Sequence, residues 1–366
     1  MAKKRGNNEG SVYQRKDGRW AGAYSIGGKQ KYIYGKTQDE TIKKLREKLA
    51  SVDKGEFVEP SAMKVSQWLN TWLQEYAKPH LRASTFASHE STVQRHLTPF
   101  LGNHKLQALR AEHIQAFINH QSHLAPATVT RQMAVLKTAL KQAQENQLIN
   151  RNPATFAKLP KQNPKEIVFL TAEEQIKVLH LLPMTTHGRA IRFTLGTGLR
   201  VSELAGLRWR DIEHGCIQIR QTCVLVKNKI FVGQPKTKAG RRTIPLNAKL
   251  NAILDQQKQT QRIERMKAGS AWVNNDYVFS SAVGTPMDRH NLGRSYSRIL
   301  KEASLESRGL HTLRHTFATN WVQGGNDLRT LSELLGHSKV AFTMQIYVHS
   351  DMDTKKRGMD YMEGLL

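Results

Sequence analysis

His311-Thr312-Leu313-Arg314-His315-Thr316-Phe317-Ala318-Thr319 decides how this chain is read. Two histidines at i and i+4 could suggest a metal pair, but no glutamate lies between them and Arg314 opposes a cation, so no metal is expected. Three other patterns accompany this stretch. Upstream stands Gly196-Thr197-Gly198-Leu199-Arg200-Val201-Ser202-Glu203-Leu204. Between the two lies Pro235-Lys236-Thr237-Lys238-Ala239-Gly240-Arg241-Arg242-Thr243-Ile244-Pro245-Leu246, a strand–turn pattern. Downstream comes Leu334-Leu335-Gly336-His337-Ser338, with Tyr347 ten residues after the histidine.

Charge says what such a chain meets. Over 366 residues there are 56 Lys and Arg against 30 Asp and Glu, a formal charge of +26. That excess points to a polyanionic partner. No single tail accounts for it: residues 1–62 carry 14 basic and 8 acidic side chains, 63–165 carry 13 and 4, and 166–366 carry 29 and 18. Three basic segments suggest contact with a nucleic-acid backbone along the whole length. No run approaches the ~20 apolar residues of a membrane span, and no apolar stretch follows the basic Met1–Arg5, so a cytoplasmic, nucleoid-associated protein is expected. Cys216 and Cys223 cannot build a disulfide framework and are read as free thiols.

In this order and on this charge, the four patterns resemble the tyrosine recombinase (phage integrase) family over about residues 168–350. The basic helical middle and the small N-terminal sheet are similar to the core-binding and arm-binding domains of its integrase branch. The resemblance implies a catalytic set of Arg200, Lys236, His311, Arg314, His337 and Tyr347, with Glu203 orienting Arg200 and His315 supporting the site. Residue chemistry agrees. Two guanidiniums can clamp the nonbridging oxygens of a phosphodiester whose charge grows in the transition state. Tyr347 is a weak nucleophile at its free pKa of ~10 and gains from nearby cations and a base. His311 can accept its proton or bond the phosphate, and His337 can donate to a nonbridging oxygen. A lysine on the strand–turn can protonate the leaving 5′-oxygen. Lys236 and Lys238 both qualify; Lys236 is preferred, because it precedes the Gly240 turn and sits nearer the preceding strand. Two departures from the family stand out: a turn one residue longer than in many relatives, and a His337–Tyr347 spacing of ten where nine is commoner.

The expected fold is multidomain. Residues 1–60 read as a three-stranded β-sheet plus one helix: strands at Ser11–Tyr13, Trp20–Ile26 and Lys31–Tyr34, with turns at Lys16–Arg19 and Gly27-Gly28, behind a disordered 1–9. Its aromatics (Tyr13, Trp20, Tyr24, Tyr32, Tyr34) alternate with Arg15, Lys16, Arg19, Lys29 and Lys31, and either pack a small core or present a basic face to a DNA groove. Residues 64–148 read as an all-α core-binding domain, with helices from Val65 to Pro79, Thr85 to Leu97, Arg110 to Ser122 and Ala125 to Gln147; Arg131, Lys137 and Lys141 are its candidate DNA contacts. Residues 149–166, rich in proline and lysine, read as an extended basic connector rather than a packed element. Residues 167–366 read as a mainly α catalytic domain with a small antiparallel sheet (α+β), in which Lys238 and Arg241 are further DNA contacts.

The expected function is site-specific recombination: attack by Tyr347, a 3′-phosphotyrosyl intermediate, and attack on it by a 5′-hydroxyl of a second duplex. The link stores the bond energy, so no cofactor is implied. The resemblance adds double-stranded attachment-site DNA as substrate, a homotetramer on DNA, a host DNA-bending protein and an excision factor, and integration or excision of a phage or mobile element. A chromosome-resolving recombinase, a type IB topoisomerase and a non-enzymatic architectural DNA-binding protein are the alternatives.

Overall fold

Alternation in the first strands settles which face is covered. The computed structural model describes residues 10–26, 29–53, 59–162, 167–227, 229–235 and 237–337. β1 (Ser11–Gln14), β2 (Trp20–Ile26) and β3 (Lys29–Gly35) pair antiparallel in that order. Gly22 lies opposite Val12 and Ile33, and a Cβ there would meet Ile33 and Thr41. That face therefore carries α1 (Gln38–Asp53), and Tyr24 is buried. The register Tyr13–Ala21–Tyr34 and Ala23–Tyr32 sets three tyrosines on the other face, 45–47% exposed. The aromatics thus divide between the two roles open from the sequence.

The chain separates into two compact units, residues 1–163 and 164–366. In the first, α2 (Val65–Thr71) runs into a widened π turn over Trp72–Ala77, and α3 (Ala83–Thr92) into another over Val93–Leu97. α4 (Thr98–Leu101), α5 (Ala111–His120) and α6 (Pro126–Glu145) complete the bundle. Its core contains Trp68, Leu69, Leu73, Leu97, Phe117, Leu136 and Leu140; the buried indole N–H of Trp68 donates to the Ala139 carbonyl at 2.9 Å. The connector after this bundle corrects the expectation of an unpacked segment. Asn152 donates its side-chain amide to the Lys137 carbonyl, and its side-chain oxygen accepts from the Ala154 N–H. Pro153–Thr155 forms a short 3₁₀ turn with Ala154 in the core. Proline at the first position of such a turn loses no needed donor, so the Pro153 that reads as a breaker also starts a helix.

In the second unit, Thr171 accepts from the Glu174 N–H and Glu174 accepts from the Thr171 N–H, the expected capping box of α7 (Ala172–Leu181). α8 (Thr186–Thr197) is the central helix, buried along most of its length. α10 (Ala248–Ala268), α11 (Arg289–Glu302) and α12 (His311–Gln323) pack around it. α9 (Val201–Gly206) follows α8 directly, and α13 (Leu328–Leu335) packs on α12 through Ala318, Leu331 and Leu335. The small antiparallel sheet expected here is present, and among the described residues a two-stranded one stands beside it. β4 (Ile212–Glu213), β5 (Cys216–Ile219) and β8 (Arg242–Pro245) form one, and β6 (Thr222–Val226) with β7 (Lys229–Gly233) forms the other. β7 escapes sequence reading because its run Lys229–Gly233 is exposed throughout and shows no buried alternation. Both cysteines are free thiols. Among the described residues no helix is long and apolar enough to cross a membrane. Residues 1–9, the Gly27-Gly28 turn, Lys236 and Tyr347 lie outside the described residues.

Candidate active site

α8 must turn sharply into α9, and Gly198 makes the turn at φ +64°, a left-handed conformation that costs glycine nothing. A Cβ there would sit 2.5 Å from Phe317, so the position is closed to other residues twice over. The turn sets Arg200 immediately ahead of α9. Glu203, in the first turn of that helix, takes the Arg200 N–H on one carboxylate oxygen at 2.9 Å and Arg200 Nη1 on the other at 2.8 Å.

Glu203 is 2% exposed and has a second cation, Arg242, whose Nη1 and Nη2 reach its two oxygens at 2.9 and 2.8 Å. Burial alone would raise its carboxyl pKa; the Arg242 and Arg200 guanidiniums overcome this and hold it at about 2. Arg242 escaped the sequence reading because Arg241 stands beside it with the same side chain. The signal was alternation in β8, where Ile244, two residues on, faces the core while Arg241 is exposed.

Arg314, on α12, is also 2% exposed. Its Nη1 donates to the Gly198 carbonyl at 2.8 Å, and its Nη2 donates to the Leu335 carbonyl and lies 3.0 Å from His337 Nε2. A guanidinium only donates, so Nε2 accepts and the imidazole proton sits on Nδ1. Burial first, then Arg314, Arg200 and Arg242, push the His337 pKa down to about 4. His311 begins α12 one turn from Arg314, and its pKa is lowered by burial and by Arg314 and Arg200. His315 packs edge-on against His311, ring centroids 4.8 Å apart, and burial with His311 and Arg314 lowers it to about 4. At neutral pH the site therefore holds neutral imidazoles among fixed guanidiniums.

Residues 165–354 match the phage integrase family, and residues 64–122 match the N-terminal SAM-like domain of phage integrases. The chain belongs to the phage integrase family. It is a tyrosine recombinase, an enzyme that breaks and rejoins DNA. A tyrosine recombinase XerC-like protein of Caldanaerobacter subterraneus subsp. tengcongensis is 30% identical over 92% of each chain. An integrase of Streptomyces ambofaciens is 29% identical over 100% of this chain and 98% of its own. The integrase of transposon Tn1549, solved with a circular intermediate DNA, shares the fold with a TM-score of 0.69 at 22% identity, covering 82% of this chain and 99% of that one.

For a tyrosine recombinase, the structure gathers four of the six expected catalytic residues, Arg200, His311, Arg314 and His337, with Glu203 and His315 beside them. Lys238 lies exposed on the 3₁₀ turn Lys238–Gly240, and Arg241 follows it, also exposed. Among the described residues no group of three or more His, Cys, Asp or Glu could hold a metal ion. Of the expected DNA contacts, Arg131, Lys137 and Lys141 share the exposed side of α6, and Lys141 lies 3.5 Å from Glu145. Arg15 lies over the Tyr34 ring, 5.3 Å from its centroid. Lys16 is exposed, and Arg19 pairs with Asp17 at 3.0 Å. Lys29 and Lys31 alternate onto the α1 face rather than the tyrosine face, and Lys31 pairs with Glu59 at 2.6 Å.

Proposed function

We propose that this recombinase cuts one DNA strand through Tyr347 and rejoins it to a second duplex by way of a 3′-phosphotyrosyl bond. The observation that carries the assignment is the meeting of Arg200, Arg314, His311 and His337 around the ends of α8 and α13. The arriving phosphate replaces the Arg314–His337 contact: the freed Arg314 Nη2 donates to one nonbridging oxygen, and His337, with its ring proton moved to Nε2, donates to another. Arg200 completes the clamp, its side chain 34% exposed while Glu203 anchors the other edge. A neutral His311 is ready to take the phenolic proton at pH 7, since its pKa lies below the ordinary value. Lys236 donates a proton to the leaving 5′-oxygen, with Lys238 as the second candidate.

Residues 1–60 then serve as the arm-type DNA-binding domain, 64–148 as the core-binding domain, 149–166 as the basic linker and 167–366 as the catalytic domain. The substrate is double-stranded attachment-site DNA, and four protomers on two duplexes carry out the exchange through a Holliday junction. A host DNA-bending protein and an excision factor complete the reaction, in the cytoplasm at the nucleoid. The exposed tyrosine face with Arg15 across it supports the arm domain, because aromatic and basic groups on an open sheet suit a DNA groove. On a nicked suicide substrate in EDTA, the wild type forms an SDS-stable protein–DNA adduct and Tyr347→Phe forms none while binding DNA with unchanged affinity. A strict magnesium requirement for cleavage, or an adduct with the Phe variant, overturns the assignment.

A further inference from the structure

Three consecutive carbonyls end α13, and a different arginine takes each. Arg242 Nε donates to Leu334, Arg314 Nη2 to Leu335, and Arg200 Nη2 reaches Gly336 at 3.4 Å. The last turn of a helix leaves its carbonyls unpaired and carries the negative end of the helix dipole, so cations are favoured there. Two of the three arginines have a role at the phosphate. Arg242 does not: its side chain is 5% exposed, and four of its five N–H donors go to Leu334, Glu203 and Gly240. Besides Glu203 and Leu334 it reaches the Gly240 carbonyl at 3.3 Å, at the end of the turn that carries Lys238.

We infer that Arg242 is a positioning residue: it orients Glu203 toward Arg200 and ties the 237–240 turn to the end of α13, so that clamp, turn and His337 are set as one unit. The inference rests on the assignment of Arg200 to the phosphate. A carboxylate has about four acceptor positions, and here all are filled: Arg200 supplies its N–H and Nη1, and Arg242 supplies Nη1 and Nη2. Without Arg242, half of a buried carboxylate faces no donor and proton uptake becomes favourable. A protonated Glu203 no longer attracts Arg200, which is then free to leave its setting. The charged and titratable groups facing Glu203 are Arg200 ahead of α9, Arg242 on β8 and His311 on α12. Lysine in place of Arg242 offers a point charge without the fork.

The test is single-turnover cleavage of a nicked suicide substrate from pH 5.5 to 8.5, with DNA affinity and thermal melting measured on the same proteins. Arg242→Met slows cleavage roughly 10- to 100-fold at pH 8, the cost of a misplaced clamp, while DNA affinity stays within about threefold, since the Arg242 side chain is buried and bonded to Glu203, Leu334 and Gly240. Its rate falls further on acidification than the wild type's over the same range, because the Glu203 carboxyl, held at about 2 in the wild type, has moved up into it. Arg242→Lys recovers part of the rate. Arg242→Met combined with Glu203→Gln is slow but lacks the added acid limb, and its neutral pair keeps the fold testable if the single variant melts too low. A rate for Arg242→Met equal to wild type, or depressed by one factor at every pH, overturns the inference. So does a double variant that keeps the acid limb or cleaves at the wild-type rate. Failure of the wild type itself to form an adduct would instead count against the assignment of function.

Discussion

Gly336 ends α13 at φ +65°, and the next residue is His337. A Cβ at Gly336 would lie 2.8 Å from the Ala239 carbonyl oxygen and 3.1 Å from Arg242 Nη1. Alanine therefore meets two penalties. The left-handed backbone costs about 1–2 kcal/mol. Displacing a backbone oxygen that cannot rotate away adds about 1–3 kcal/mol. Gly336→Ala should thus destabilise the protein by roughly 2–5 kcal/mol. Gly215 supplies the control: it has φ +70°, and a Cβ there would meet nothing within 4 Å. Gly215→Ala should cost only the backbone part, about 1–2 kcal/mol, and cleave normally. Any relief of the Gly336 contact separates the α13 end from the 237–240 turn and pulls its carbonyls off the arginines. A displacement of about 1 Å is enough to slow cleavage ~10²-fold. Urea unfolding gives the stability difference, and single-turnover cleavage at saturating protein gives the rate. If Gly336→Ala is no less stable than Gly215→Ala and cleaves like wild type, close packing of these two turns does not set the site.

Three further outcomes follow from the same geometry. His315 and His337 are held at about 4, below their ordinary 6.5; the unfolded chain binds their protons first, so stability is full above pH 6.5 and falls as pH drops toward 4. Each contributes on the order of 2 kcal/mol to that loss, and a melting temperature that stays flat between pH 7.5 and 4.5 would contradict it. Lys236→Ala should slow cleavage ~10²–10⁴-fold, as for a lost general acid; a 5′-bridging phosphorothiolate, whose leaving group hardly needs a proton, should restore it but not Arg200→Ala, and rescue of Lys238→Ala instead would move the acid to Lys238. Deletion of residues 1–60 should leave cleavage of a short core site intact and impair recombination that needs distal arm sites, and normal recombination of full-length sites by the truncated chain would refute the arm-domain role.

Periodicity and turn chemistry made most of the fold legible. The helices of the first unit, the Thr171–Glu174 capping box and the strands beside Cys216, Cys223 and Arg242 follow from local rules. What local rules missed depends on partners far along the chain. Asn152 packs the start of the proline-rich connector because the Lys137 carbonyl lies within reach. Lys31 lies opposite Tyr24 on the α1 face of the sheet and pairs with Glu59, 28 positions on, a placement set by cross-strand register and a distant partner. Motifs named Arg200, Arg314 and the histidines, since those residues carry recognisable spacing. Arg242 has no spacing signature; its role depends on reaching Glu203, 39 positions earlier, and Leu334, 92 positions later.

The central claim is that Tyr347 attacks the phosphate held by Arg200 and Arg314. Its most direct measurement is mass spectrometry of the protein trapped on a nicked suicide substrate, then digested with nuclease and protease. The account predicts one modified peptide, carrying a 3′-linked nucleotide on Tyr347. A nucleotide on Tyr361, on any other residue, or no covalent linkage in a protein that nonetheless exchanges strands would contradict it.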